Sequence, residues 1–264
     1  MSEAASPVLD VVVEDGLAVL TLQRPDALNA LNAELKDALS DWVRAARYDD
    51  TVRAVLVTGS GRAFSAGGDL SEMDPNRTPA QARARQDKLL YEVFLPLAQL
   101  PKPVVAAVNG HAHGAGLSLA LACDIVIASE EAAMSLGFVQ RGLVPDCGIL
   151  YFLPRIVGTV RAKELLLTGR RFTGAEAAKM GLVSQAVPAA DLMTIAREVA
   201  ASLAAGATVA LGMTKNLVDR SWDSTLEQLA ELEAFSAAVS RATHDHREAL
   251  DAFREKRPAQ FTGS

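Results

Sequence analysis

Two glycine-bearing loops and one aspartate hold the residues in this chain best suited to chemistry. The first loop reads Gly61-Arg62-Ala63-Phe64-Ser65-Ala66-Gly67-Gly68-Asp69-Leu70, and the second Ala107-Val108-Asn109-Gly110-His111-Ala112-His113-Gly114-Ala115-Gly116. Each follows an apolar run that reads as a strand, and each carries small residues where a substrate must come close to the backbone. No Gly-Lys-Ser/Thr follows either loop, and Gly114-x-Gly116 lacks the third glycine of a dinucleotide fingerprint. Taken singly, each loop reads equally as a tight turn between strand and helix. Asp146 stands in Gly142-Leu143-Val144-Pro145-Asp146-Cys147-Gly148. Burial among Val144, Pro145, Phe138 and Leu150 raises a carboxyl from its reference pKa of about 3.9 toward that of a useful base. The other reading of Asp146 is a cap on a helix that starts near Cys147.

Other polar candidates form weaker patterns. His111 and His113 flank the second glycine turn without a third ligand at recognisable spacing, so no metal is expected. Ser65 and Ser118 lack a His/Asp arrangement, which argues against a serine nucleophile. Asp124 and Glu130 read as structural or exposed. Cys123 and Cys147 form no Cys-x-x-Cys pair and read as reduced thiols.

The elements that must position these residues follow from periodicity. Val8 to Val13 and Leu17 to Leu22 flank Asp15-Gly16, a hairpin signal. Leu31, Leu35, Ala38, Leu39, Trp42, Val43 and Ala46 share one helical face, with Asn32 as the expected N-cap. Strands follow at Ala54 to Thr58, Val104 to Val108 and Ile125 to Ala128, with a polar helical stretch from about Pro79 to Gln99 and a short apolar helix near Leu117 to Ala122. Repetition of strand, glycine loop and helix predicts an α/β core of stacked ββα turns. Beyond Leu150 helical periods dominate apart from Leu182 to Val187, and Ser224 with Glu227 and Asp245 with Glu248 read as capping boxes. The division expected is a core domain over residues 1–200 and a C-terminal helical region over 201–264.

Bulk composition narrows the classes. At 264 residues, 50% hydrophobic and 22% charged, the chain reads as globular. Its formal charge of −6 opposes broad attraction to nucleic acid or anionic membrane. Met1 to Asp10 lacks a basic leader, and the apolar run Leu117 to Ala128 is short and interrupted by Asp124. A cytoplasmic protein without nucleic-acid or membrane partners is the expectation.

Both loops together, with Leu22-Gln23-Arg24-Pro25-Asp26-Ala27-Leu28-Asn29-Ala30-Leu31 before them and Phe253-Arg254-Glu255-Lys256-Arg257-Pro258 near the end, resemble the crotonase, or enoyl-CoA hydratase/isomerase, superfamily along essentially the whole chain. The resemblance implies a spiral of ββα turns whose C-terminal helical region mediates a homotrimer or dimer of trimers. It implies that the substrate is an acyl thioester of coenzyme A, with no permanently bound cofactor. It gives the backbone N–H groups of Gly68 and Ala115 the role of donors to the thioester oxygen. It places Arg24, Ala27, Leu28, Ala66, Asp69 and Leu70 along the adenine and pantetheine path, and Phe253 and Lys256 over the cofactor from a neighbouring subunit.

Resemblance to the family's hydratases implies two glutamates, but this sequence has Ser118 and Phe138 at those places. The segment around Asp146 and the tail from His246 to Gly263 resemble the isomerases instead, the enoyl-CoA and epoxyphenylacetyl-CoA isomerases of fatty acid metabolism and phenylacetate degradation. That makes Asp146 the acid/base of an isomerase. Alternatives are a hydratase or other acyl-CoA lyase of the family, an aroyl-CoA dehalogenase, and a non-catalytic binding protein.

Overall fold

The computed structural model describes residues 7–74 and 76–264, so the reading of Met1 to Asp10 lies largely outside the described residues. The first half contains β1 (Leu9–Glu14), β2 (Leu17–Leu22), α1 (Ala33–Ala46), β3 (Ala54–Gly59), β4 (Ala63–Ser65), α2 (Pro79–Leu89), α3 (Leu95–Ala98), β5 (Val104–Val108), β6 (His111–His113), α4 (Ala115–Leu121), β7 (Ile125–Ser129) and β8 (Ala133–Ser135). There follow α5 (Ile149–Thr168), β9 (Arg171–Thr173), α6 (Gly174–Lys179), β10 (Gln185–Val187), α7 (Leu192–Ala204), α8 (Thr208–Arg220), α9 (Leu226–Ala242) and α10 (His244–Glu255).

The larger sheet has the order β1-β2-β3-β5-β7-β10. Its β1–β2 hairpin is antiparallel, and every other pairing is parallel. Every residue of β3 and β5 is buried, as a parallel sheet covered on both faces requires. Alternate side chains divide between two cores. Val55, Val57, Ala106 and Val108 pack with Leu35, Leu39 and Val43 of α1, whereas Ala54, Leu56, Val105 and Ala107 pack with Ala196, Ala200 and Ala204 of α7. Asn32 caps α1 as expected, accepting from the Leu35 amide at 3.0 Å.

A second sheet, β4-β6-β8-β9, was not evident from the sequence. Its strands are three residues each, too short to show a period. Two of them, β4 and β6, lie inside the glycine loops, and β8 follows β7 within a few residues. Thus β3 and β4, β5 and β6, and β7 and β8 are successive strands, one in each sheet, and helical segments follow each succession: the crotonase-type ββα spiral. At the corner between the two glycine loops, α4 lies so close to β4 that a Cβ on Gly116 would sit 2.3 Å from the Ser65 carbonyl oxygen. Gly116→Ala is therefore expected to lower stability by about 1–3 kcal/mol through forced backbone shifts, read as a reduced midpoint in urea unfolding.

Both expected capping boxes in the helical region are displaced. The box on α9 is formed by Thr225 and Gln228, one residue later than Ser224 and Glu227, with amide and hydroxyl contacts of 3.0 and 3.3 Å. On α10 the cap is Thr243, which accepts from the His246 amide at 3.1 Å. Asp245 is buried in the first turn and accepts from the Thr262 and Gly263 amides at 2.7 and 2.9 Å, while Glu248 pairs with Arg257. The C-terminal tail folds back and claims both acids, which a local pattern cannot reveal. No single helix is long and apolar enough to cross a membrane; α7 and α8 pass such a test only as a pair bent by 107°.

Candidate active site

The two glycine loops meet. Gly67, at φ 95°, approaches the second loop so closely that a Cβ there would sit 2.6 Å from the His113 carbonyl oxygen and 3.4 Å from the Ala115 nitrogen. Gly114 turns the second loop into α4 at φ 50° and ψ −122°, a conformation left to glycine. Its amide donates to the Ser135 carbonyl at 2.9 Å, which ties the turn to β8.

Bridging to Leu31 orients the first loop. The Leu31 amide donates to the Gly67 carbonyl at 2.7 Å, and the Asp69 amide donates to the Leu31 carbonyl at 3.4 Å. Successive amides of an extended strand point to opposite sides, so the N–H of exposed Gly68 faces away from Leu31. Neither the Gly68 nor the Ala115 amide donates a hydrogen bond among the described residues. Ala115 is the first residue of α4, where an orphan N–H is expected. Free amides on two abutting loops can together bind an oxygen that gains negative charge.

Asn29, quoted in the sequence motif without a role, organises this region. It is fully buried; its amide nitrogen donates to the Ser60 and Ala63 carbonyls at 2.9 and 2.7 Å, and its Oδ1 accepts from the Arg24 amide at 2.8 Å. The signal available in the sequence was a polar side chain inside the apolar Ala27-Leu28-Asn29-Ala30-Leu31. Ser65 adds a bond to the Asn29 carbonyl at 2.8 Å, so its hydroxyl is structural.

The six residues expected along an adenine and pantetheine path lie on the Arg24–Leu28 segment and at the end of the first glycine loop. Arg24 and Ala27 line an open hollow of about 440 Å³ with Gln23, Pro25 and Asp26. The Ala66 amide donates to the Leu28 carbonyl at 2.9 Å, and Leu70 is exposed beyond the loop. Arg24 and Asp69 bind each other: Nη1 lies 2.9 Å from Oδ2. Phe253 is 84% exposed on α10, and Lys256 follows it at the helix end without an ion pair among the described residues. No hydrogen bond among the described residues brings either of them to the Arg24 hollow.

Asp146 lies between a short 3-10 turn at Val139–Arg141 and α5. It does not cap α5: the N-cap is Gly148, and no side chain caps it. Burial pushes the carboxyl above its ordinary range, opposed by hydrogen bonds from Cys147, its own backbone and Gln86. The expected wall of Val144 and Leu150 is absent, since they are 76% and 52% exposed; the adjoining segment turns them outward. Cys147 is buried beside Asp146 instead, and Gln86 reaches it from α2. Helix α2 buries no residue of its own and is held by Arg85 to Glu72 at 2.6 Å and Lys88 to Asp37 at 2.9 Å. Asp146 forms no hydrogen bond to either glycine loop among the described residues. Phe138 lies beside the second loop, since a Cβ added to Gly114 would sit 3.7 Å from its Cζ.

Ser118, fully buried, donates its hydroxyl to the Gly114 carbonyl at 3.1 Å. His113 Nδ1 lies 2.9 Å from Ser135 Oγ; burial, then the charges of His111, Arg171 and Arg141, lower its pKa to about 4, so the ring is neutral at pH 7. Among the described residues no group of three or more His, Cys, Asp or Glu side chains is placed to hold a metal.

Comparison with known proteins matches this geometry to a family. The family model described as "Enoyl-CoA hydratase/isomerase" matches residues 13–264. The chain is 38% identical over 253 residues to the 1,2-epoxyphenylacetyl-CoA isomerase of Escherichia coli (strain K12), covering 95% of this chain and 97% of that one. It is 41% identical to the "Probable enoyl-CoA hydratase" of Rhodobacter capsulatus, over 95% of this chain and 96% of the relative. The crystal structure of enoyl-CoA hydratase from Bacillus anthracis superimposes with a TM-score of 0.91 at 32% identity, over 97% of this chain and 100% of that one. With fold, loops and relatives in agreement, the chain belongs to the enoyl-CoA hydratase/isomerase family of the crotonase superfamily.

Proposed function

We propose that this enzyme moves a double bond of an enoyl-CoA through a dienolate, with Asp146 as the single acid/base. The observation that carries this reading is the state of three side chains. Asp146 is left outside the helix cap with its pKa raised by burial, whereas Ser118 spends its hydroxyl on Gly114 and Phe138 is apolar. Hydration needs one group to activate water and another to deliver a proton, and neither of the latter positions offers a carboxylate.

In the proposed cycle the Asp146 carboxylate removes a proton from C2 of a 3-enoyl thioester. The electrons move through the carbonyl to its oxygen, which the Gly68 and Ala115 amides hold. The protonated Asp146 then returns the proton to C4, the carbonyl reforms, and the double bond lies between C2 and C3. Atoms and charge balance without a co-reactant. The coenzyme A portion lies beside Ala27 and past Leu28, Ala66 and Leu70, with the Arg24 guanidinium turned to Asp69.

A C-terminal unit over residues 201–264 serves self-association in this reading. Helix α9 buries no residue yet exposes Leu226 at 79% and Phe235 at 67%, and Trp222 and Phe253 are also open. A helix with such a surface gains most by packing on another copy, which supports self-association; in the proposed homotrimer or dimer of trimers, Phe253 and Lys256 would close over a neighbour's cofactor.

Incubation with 3-enoyl-CoA and, separately, 2-enoyl-CoA in deuterated water tests the reaction. Double-bond migration with deuterium incorporation is expected from the first. Accumulation of 3-hydroxyacyl-CoA from the second, without migration from the first, overturns the isomerase in favour of a hydratase.

A further inference from the structure

We propose that Arg24 and Asp69 form a positioning pair that fixes the direction of the Gly68 N–H; this rests on Gly68 being an oxyanion donor. The pair ties the residue that follows that amide to the segment beside it. Asp69 immediately follows Gly68, its own amide donates to Leu31, and its Oδ2 accepts from Arg24 Nη1 at 2.9 Å. The same Nη1 also donates to the Ala30 carbonyl, one residue before Leu31. One guanidinium nitrogen thereby staples the strand containing Gly68 to the strand that orients it.

Arg24 is itself held rigidly. Its amide donates to Asn29 Oδ1 at 2.8 Å, and its carbonyl accepts from the Asn29 amide at 2.8 Å. Asp69 is equally committed, because Oδ1 accepts from the Ser71 amide and hydroxyl at 3.0 and 2.7 Å. Both carboxylate oxygens are therefore occupied. The two charged side chains are only 21% and 12% exposed, so water screens the pair weakly and charge-assisted bonds of this kind hold geometry well. The Asp69 bond to Ser71, outweighing partial burial, and the bond from Arg24 keep its carboxyl below the ordinary range and hence ionised at neutral pH.

The bond to Asp69 weakens the charge that Arg24 offers to coenzyme A. A phosphate meeting Arg24 meets a guanidinium already neutralised by Asp69, and Asp69 itself repels anions. The Leu31 amide holds the Gly67 side of the turn at 2.7 Å, whereas the Asp69 amide bond to Leu31 is long at 3.4 Å, so the side-chain staple adds constraint on the Asp69 side of Gly68. A shift of the Gly68 amide on the order of 1 Å is enough to cost about 100-fold in rate.

Asp69→Asn and Arg24→Gln separate positioning from cofactor binding. Steady-state kinetics, calorimetric titration with free coenzyme A, and the infrared carbonyl stretch of a bound, non-reacting saturated acyl-CoA are measured for each. Expected are a kcat lower by roughly 10- to 100-fold, a Kd for coenzyme A within about twofold of the parent, and a smaller shift of the carbonyl stretch to low wavenumber. Arg24→Lys, which keeps the charge, recovers part of the carbonyl shift. A large rise in the coenzyme A Kd, with kcat and the carbonyl shift unchanged, overturns the proposal and makes the pair a cofactor contact. If the parent enzyme itself shows no carbonyl shift on binding, the oxyanion reading fails and this proposal with it. Asparagine keeps an acceptor for Ser71, so loss of folding in Arg24→Gln alone leaves Asp69→Asn to decide the question.

Discussion

Asp146→Asn is expected to lower isomerase turnover by roughly 100- to 10,000-fold, the usual worth of a positioned proton-transfer group. The native fold should survive. Burial holds the Asp146 carboxyl above its ordinary range, so ionising it in the folded protein costs more than in the unfolded chain. The linkage sign follows: between the unfolded and the raised folded pKa the native state binds more protons, and stability falls as pH rises through that window. An asparagine has no such cost, so the variant's melting temperature at neutral pH should equal or exceed the parent's. Activity has the opposite dependence, since the base must be ionised. The acidic limb of the pH profile of kcat/KM should lie above the ordinary carboxylate range and vanish in the residual activity of Asp146→Asn. Retention of full turnover by a folded variant would remove Asp146 from the mechanism.

Ala115→Pro removes one amide proton from the pair of free donors while keeping the chain intact. Proline is well accommodated at the first residue of a helix, where no intrahelical bond is lost, and Ala115 occupies that place in α4. The expected loss in kcat is roughly 100- to 1,000-fold, as for other single oxyanion donors, with coenzyme A affinity little changed. Circular dichroism melts establish that the fold persists, and single-turnover kinetics read the chemical step. Turnover within about threefold of the parent in a folded protein would show that the thioester oxygen sits elsewhere.

The two variants act on different steps. Asp146 moves the proton, and the amides lower the cost of the charge that its removal creates. Combined, their losses should be less than multiplicative, because a dienolate that cannot form needs no stabilisation.

Much of this site was readable before the fold. The strands Val104–Val108 and Ala54–Gly59, the helix capped by Asn32 and the two glycine loops follow from local apolar periods and turn residues, and these signals reside within a few neighbouring positions. Four strands escaped because three residues are too few to display alternation, and their pairing partners lie far along the chain. The capping pattern at Asp245 misled for a related reason. A carboxylate suited to a helix start is equally suited to the amides of Thr262 and Gly263, and the folded tail delivers them.

By itself the sequence determined which segments are strands and helices, where the backbone turns too tightly for any side chain, and which carboxylates and glycines are available. Those are properties of local sterics and hydrophobic period. Only the tertiary structure decided that Arg24 spends its charge on Asp69 and that Val144 and Leu150 are exposed while burial still raises the Asp146 carboxyl. It also decided that the Gly68 and Ala115 amides donate no hydrogen bond among the described residues. Whether a polar group is free or engaged depends on what distant segments bring to it, and that is settled by packing.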